Sequence, residues 1–159
     1  MSTALSSNHI VKIGIVTPDV EDSAARCRAV YGQGPPPRTQ TDEPPAYTVK
    51  PYFEYRGQRL DRPANMKVIS VYTDNFWFEF IEPLPGPPNP WQDHLDAHGL
   101  SVAFVSAHID SGFERDLAAM ESLGYPVIWT HDKGYERYAY FDTADRLGFM
   151  VEVKELQPR

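Results

Sequence analysis

Two apolar segments that each carry an embedded glutamate constrain this chain more than any other feature. Gly148-Phe149-Met150-Val151-Glu152-Val153-Lys154-Glu155 sets Glu152 among residues that should fill a core. Phe76-Trp77-Phe78-Glu79-Phe80-Ile81-Glu82-Pro83 does the same with Glu79. Their shortness and their aromatic and branched content read as strands. A charged carboxylate left alone in an apolar interior is costly, so such groups are paired, protonated or metal-bound. Any fold for this chain must supply a partner for a buried glutamate once in each half.

The remaining pattern repeats in the same way. Residues 9–16 are short, branched and strand-like, and Thr17-Pro18-Asp19 ends the strand with helix-capping chemistry. Val20, Ala24, Cys27, Val30 and Tyr31 then recur at three- and four-residue steps, predicting an amphipathic helix that stops at Gly32 and Gly34. Five prolines over 35–45 make an irregular loop, a surface segment by default and a flap over a cavity as the alternative. Strands are expected over 47–55, 66–72 and 76–81, the last two joined by the turn Thr73-Asp74-Asn75.

A proline-rich linker and a short helix over 91–98, which Trp91 would anchor, fill 84–99. The second half gives a strand over 100–105, a helix over 110–123 ended by Gly124, and strands over 126–130, 138–141 and 149–153. Both halves thus read strand, helix, strand, strand, strand. The expected fold is α+β, with one βαβββ module over 9–83 and a second over 100–157.

Composition narrows the partners. A net charge of -7 with no basic run argues against nucleic acid and anionic membrane surfaces. No apolar stretch approaches the ~18 residues of a membrane span, and the first eight residues lack the pattern of a signal peptide. The single cysteine, Cys27, excludes an internal disulfide and reads as a small core residue. A cytoplasmic location is the expectation.

Several segments, in this order, resemble the vicinal oxygen chelate superfamily, which includes glyoxalase I, methylmalonyl-CoA epimerase, ring-cleaving dioxygenases, and the bleomycin and fosfomycin resistance proteins. Lys12-Ile13-Gly14-Ile15-Val16-Thr17-Pro18-Asp19-Val20 resembles the family's opening HIGIAVPDL, and Phe78-Glu79-Phe80-Ile81-Glu82-Pro83 resembles IELLEP. Residues 90–99 are similar to the segment before the second metal histidine of epimerase-like members, and residues 148–155 resemble the closing GVLIELVE. The resemblance implies two half-barrels of mixed sheet around a central cavity. It also implies a divalent metal held by a histidine on the first strand, a histidine on the fifth and a glutamate on the eighth, often with a further carboxylate from the first half. Such nitrogen and oxygen sets suit Zn, Ni, Co, Fe or Mn.

This chain departs from that pattern at both histidines. The first falls on Lys12, and the second on Ser101 in Leu100-Ser101-Val102-Ala103-Phe104, where the family reads HHIAF. Glu152 and Glu79 match the two carboxylates. An ammonium is no metal ligand and a serine is a poor one, so no cofactor is expected. Were a divalent metal to bind, Glu79, His98 and Glu152 would be its ligands. His94, His108 and His131 read as surface or capping residues, and His9 points away from Lys12 by strand alternation.

If Lys12, Glu79 and Glu152 share one cavity, the ammonium stands where a metal would and leaves one surplus negative charge. Two carboxylates crowded in a low-dielectric pocket push one pKa upward, which suits acid–base work near neutral pH. The plainer alternative is a structural ion pair.

Aromatics make up 13% of the chain, and on the cavity strands they favour a flat or apolar organic substrate. The expected substrate contacts are Ser101, Trp77, Tyr138, Tyr140, Met150 and His98. The function these residues predict is metal-independent proton transfer, an isomerase, epimerase or lyase type, on a carbonyl-containing or aromatic small molecule. Glu152 and Glu79 would be the acid–base groups and Lys12 their electrostatic partner. Sequestration of an aromatic compound without chemistry and a metal enzyme with relocated ligands are the alternatives. A homodimer is compatible with the resemblance.

Overall fold

The computed structural model describes residues 3–36, 46–47 and 49–156. Its elements are β1 (Ile10–Val16), α1 (Val20–Tyr31), β2 (Tyr52–Tyr55), β3 (Gln58–Leu60), β4 (Met66–Tyr72), β5 (Trp77–Pro83), α2 (Pro90–His98), β6 (Ser101–Ile109), α3 (Phe113–Ser122), β7 (Val127–Asp132), β8 (Glu136–Phe141), α4 (Ala144–Leu147) and β9 (Met150–Leu156). The α+β class and the mixed sheet are as the sequence predicts. Most of the proline-rich loop, residues 37–45, lies outside the described residues.

Local chemistry fixes the ends of the first two helices. Asp19 accepts from the Asp22 N–H at 3.0 Å and Asn89 from the Gln92 N–H at 2.9 Å, so each satisfies an orphan donor in a first turn. Pro90 opens α2, where its missing N–H costs nothing. Two short elements were not legible in the sequence. One is α4, and the other is β3, which follows β2 after a two-residue turn whose Arg56 and Gly57 both have positive φ.

The nine strands form one sheet in the order β3-β2-β7-β8-β9-β6-β1-β5-β4. Within it β1 runs parallel to β5 and antiparallel to β6, while β6 runs parallel to β9. The two halves of the chain therefore meet edge to edge along β1 and β6. Although β2 belongs to the first half, it pairs with β7 of the second and carries β3 with it.

This arrangement dictates curvature. β3 and β4 lie at opposite edges of the sheet order, yet only residues 61–65 connect Leu60 to Met66. A connection of that length spans at most about 20 Å, so the sheet curls until its edges approach. On the outer face α1 packs against β4 and β5 around Val20, Ala24, Val71 and Phe80. There too α3 packs against β9 around Ile109, Phe113, Met120 and Val153.

The inner face holds Tyr55, Ile81, Phe104, Trp129, Tyr140 and Met150, and α2 inserts Trp91 among them. The Trp91 ring lies 5.1 Å from Trp129 and 5.3 Å from Tyr140. A Cβ at Gly14 would fall 1.9 Å from the Phe104 ring, so only glycine lets that ring lie across β1.

Register brings one inner-face row into line across the curl. Tyr72, Trp77, Lys12, Ser106, Glu152, Tyr140, Trp129 and Tyr55 follow one another on adjacent strands. Glu79 lies one pair along β5, opposite Gly14. Among the described residues no helix is long and apolar enough to cross a membrane.

Candidate active site

The row across the sheet gives Glu152 and Glu79 the same partner. Lys12 Nζ lies 3.0 Å from Glu79 Oε1 and 3.1 Å from Glu152 Oε2. The Lys12, Glu79 and Glu152 side chains are 6%, 16% and 1% exposed. The contact to Glu79 is a directed hydrogen bond. That to Glu152 is a charge contact in which Oε2 makes no aligned hydrogen bond.

Burial works against the charge on Lys12. The charges of Glu152 and Glu79 outweigh it and hold the ammonium above the ordinary lysine value. Lys12 is therefore a fixed cation at neutral pH and no base. Two carboxylates on one ammonium leave a single negative charge in excess.

These three side chains floor a cavity of about 210 Å³. Trp91, Tyr138 and Tyr140 form one wall, Met66, Val68 and Ile81 another, and Lys133 and Lys154 also border it. Burial, followed by the charge of Glu152, pushes both tyrosine phenols well above their ordinary value, so they present O–H groups at neutral pH. The Tyr138 hydroxyl shares a 2.8 Å hydrogen bond with His131 Nδ1. At the cavity's edge Glu136 ties Lys133 and Lys154 together, at 2.5 Å and 2.8 Å.

The other sequence-predicted contacts divide. Tyr138 and Tyr140 line the cavity. Trp77 stands beside Lys12 in the row, but borders a neighbouring, larger cavity of about 550 Å³ together with His108. Met150 is core, against Phe104. Ser101 lies at the start of β6, where its hydroxyl meets His94 Nε2 and the Gly99 carbonyl, each at 3.0 Å, and it does not line the cavity. His98 is exposed on α2, its ring 4.6 Å from that of His94, and with Met150 it borders a different hollow. Glu79, His98 and Glu152 are thus not brought together.

The residue facing both Lys12 and Glu152 on β6 is Ser106, five positions beyond Ser101. It is fully buried and its hydroxyl has no partner among the described residues. Residues 101 and 106 sit on opposite sides of a register shift in the β1–β6 pairing, which motif matching does not see. His131 and His108 also depart from the surface role expected of them. Burial, with Lys133 beside His131 and Lys154 beside His108, pushes each down to about 3, so both rings are neutral.

A divalent metal does not fit this set. The place between the two carboxylates is taken by an ammonium that keeps its proton, and the residue opposite it is a serine. Among the described residues, no group of three or more His, Cys, Asp or Glu side chains is placed to hold a metal ion.

A curled sheet built from two βαβ-type halves around a floor of facing polar residues defines the class. The profile of the Glyoxalase/Bleomycin resistance protein/Dioxygenase superfamily matches residues 11–141, and the chain belongs to that superfamily.

Among solved structures it is similar to methylmalonyl-CoA epimerase from Mycobacterium tuberculosis, at 14% identity and a TM-score of 0.61 over 99% of this chain and 94% of that one. A Streptomyces coelicolor methylmalonyl-CoA epimerase variant in complex with 2-nitronate-propionyl-CoA gives 18% identity and a TM-score of 0.58 over 96% and 100%. A hypothetical protein from Bacillus halodurans C-125 gives 14% and 0.63 over 97% and 98%. At these identities the likeness concerns the fold. No curated protein matches the sequence.

Proposed function

We propose that this chain is a small-molecule enzyme of the isomerase or epimerase type that moves a proton on a carbonyl-containing substrate without a metal. The observation that carries this reading is the buried Lys12 ammonium held at 3.0 and 3.1 Å by carboxylates from β5 and β9. Those strands flank β1 and β6 on either side, so a carbon held above Lys12 and Ser106 would be approached by Glu79 from one side and Glu152 from the other. One glutamate, as the carboxylate, removes a proton, and the other, once protonated from solvent, delivers one to the opposite face, the arrangement that inversion at carbon requires. An ammonium has three donors. One is given to Glu79, and Glu152 is held by charge, which leaves a donor for an oxygen that gains negative charge as the proton leaves. Tyr138 and Tyr140 bring O–H groups to the same space, and the superfamily's epimerases support the reaction class.

The test is hydrogen exchange. Incubated in D₂O with a panel of 2-oxo acids and thioesters, the wild type should label the carbon beside the carbonyl of at least one member. Glu152→Gln and Lys12→Met should each slow that labelling by about 10²-fold or more, the scale of a lost acid–base group. Unchanged labelling in both variants sinks the proposal.

One observation favours sequestration instead. Glu152 is 1% exposed and already engaged by Lys12, as a purely structural pair would be. On that reading a bound compound is recovered unaltered and no label is incorporated.

A further inference from the structure

We infer that Lys133 and Lys154 form an anion subsite at the mouth of the cavity, and that the ligand is a small organic monocarboxylate whose uncharged end reaches the floor. This rests on the proposed reading of the floor as the place of chemistry. Depth comes from exposure. The Lys12 and Glu152 side chains, 6% and 1% exposed, are the deepest, Glu79 is 16% exposed, and Lys133 and Lys154, which border the same cavity, are 20% and 17% exposed.

Charge is segregated along the strands, from Glu152 to Lys154 on β9, rather than by depth alone, since Glu136 is 11% exposed. The floor holds two carboxylates on one ammonium, and the mouth holds two ammoniums on one carboxylate, Glu136. Each end therefore carries one unmatched charge, negative around Lys12 and positive around Glu136.

The mouth is built rather than incidental. Lys154 follows Glu152 by two residues on β9, so both project inward, and Tyr138 of β8 lies opposite Lys154. Lys133 sits in the β7–β8 turn, with its N–H bonded to the Glu136 carbonyl. The Tyr138 ring lies 5.6 Å from the Lys133 ammonium and 5.9 Å from that of Lys154, and holds both over the cavity. Each ammonium gives one contact to Glu136 and keeps donors for a second acceptor.

A monoanion matches the single unmatched positive charge, and a volume of about 210 Å³ admits only a compact molecule. The same carboxylate would be repelled from Glu79 and Glu152, so the charge pattern also sets the ligand's direction. The end that meets the two glutamates is then the uncharged one, which carries the acidic C–H.

The experiment follows tryptophan fluorescence, since Trp91 borders the cavity. Propionate, 2-oxobutanoate and benzoate are each titrated into the full chain beside their amides. At least one acid should bind about tenfold more tightly than its amide, with the difference shrinking as salt is raised. Lys154→Met and Lys133→Met should remove that preference and leave amide binding unchanged. Glu136→Gln, which frees both ammoniums from their shared counter-charge, should tighten acid binding several-fold. No acid preferred over its amide, or a Glu136→Gln variant that weakens acid binding, overturns the subsite even if the lysine variants fail to fold. Glu152→Gln separates this inference from the proposed reaction. With the subsite right and the reaction wrong, acids bind to wild type and variant alike and neither incorporates deuterium.

Discussion

Lys12 and Ser106 face each other across the β1–β6 pairing, and the serine hydroxyl is fully buried with no partner among the described residues. An unpaired buried hydroxyl costs about 1–3 kcal/mol. Ser106→Ala should therefore leave the unfolding free energy unchanged or raise it by about 1 kcal/mol in urea titrations. A loss of more than about 1 kcal/mol would show that the hydroxyl holds the fold together.

Lys12→Met leaves Glu79 and Glu152 buried without their counter-charge. Breaking one partner out of a buried ion pair costs about 3–5 kcal/mol, and the urea midpoint should fall accordingly. Adding Glu152→Gln to Lys12→Met should recover a large part of that loss, because it removes the deeper orphaned charge. Strict additivity of the two single changes would contradict the coupling read from the geometry.

The same positions can be converted. With Lys12→His and Ser106→His, two imidazoles join Glu79 and Glu152 in a nitrogen and oxygen set suited to Co(II) or Zn(II). Cobalt titration of the double variant should give stoichiometric binding and visible absorption that the wild type lacks. Absence of both would mean that residue 106 does not face residue 12.

Acid should destabilise the protein in two stages. His131 and His108 are held at about 3, against an ordinary value of about 6.5. Above pH 6.5 these rings are neutral whether folded or not and contribute nothing. Below it the unfolded chain takes up protons that the folded chain refuses, costing up to about 1.4 kcal/mol per pH unit for each ring until pH ~3. Glu136 adds a second stage: burial works against its charge, but Lys154 and Lys133 hold it at about 2. Its stabilising contribution is complete above an unfolded value of about 4.5 and fades as the pH falls towards 2. Urea midpoints should decline from about pH 6.5 downwards, and His131→Phe should flatten the first stage. A level profile between pH 7 and 4 is the contrary result.

Gly14 is a packing site. Gly14→Ala would drive a methyl group into the Phe104 ring, at an overpacking cost of about 1–3 kcal/mol. Calorimetry should show a lower Tm for Gly14→Ala, and Gly14→Ala with Phe104→Leu should regain part of it.

The strands that bury Glu79 and Glu152 were legible because a carboxylate inside an apolar alternation is a local signal. Lys12 was legible because its neighbours fit the family's opening motif. Ser106 was not, since its place depends on how β6 slides against β1, and the register shifts between those strands belong to a long-range pairing. The pairing of β2 with β7 was hidden for the same reason. Lys133 lies on a turn, where no periodicity marks the direction of a side chain. His131 looked like a strand-end surface residue, and its burial comes from β2 paired beside β7, with Phe53 4.5 Å from its ring, and from Tyr138 on its other side.

That union of β2 with β7 has a consequence for the order of events in folding. β2 comes from the first half of the chain, and beyond its own hairpin with β3 it has no sheet to join until β7 exists in the second. Trp129, in the core beside the cavity, meets Tyr55 only when that distant contact closes, and such contacts form slowly. During synthesis the first half emerges with the β2–β3 hairpin lacking its β7 neighbour, and an unpaired strand edge invites association. The cavity is therefore among the last parts of the molecule to be completed, and a compound that fills it would bind the finished fold and none of its precursors.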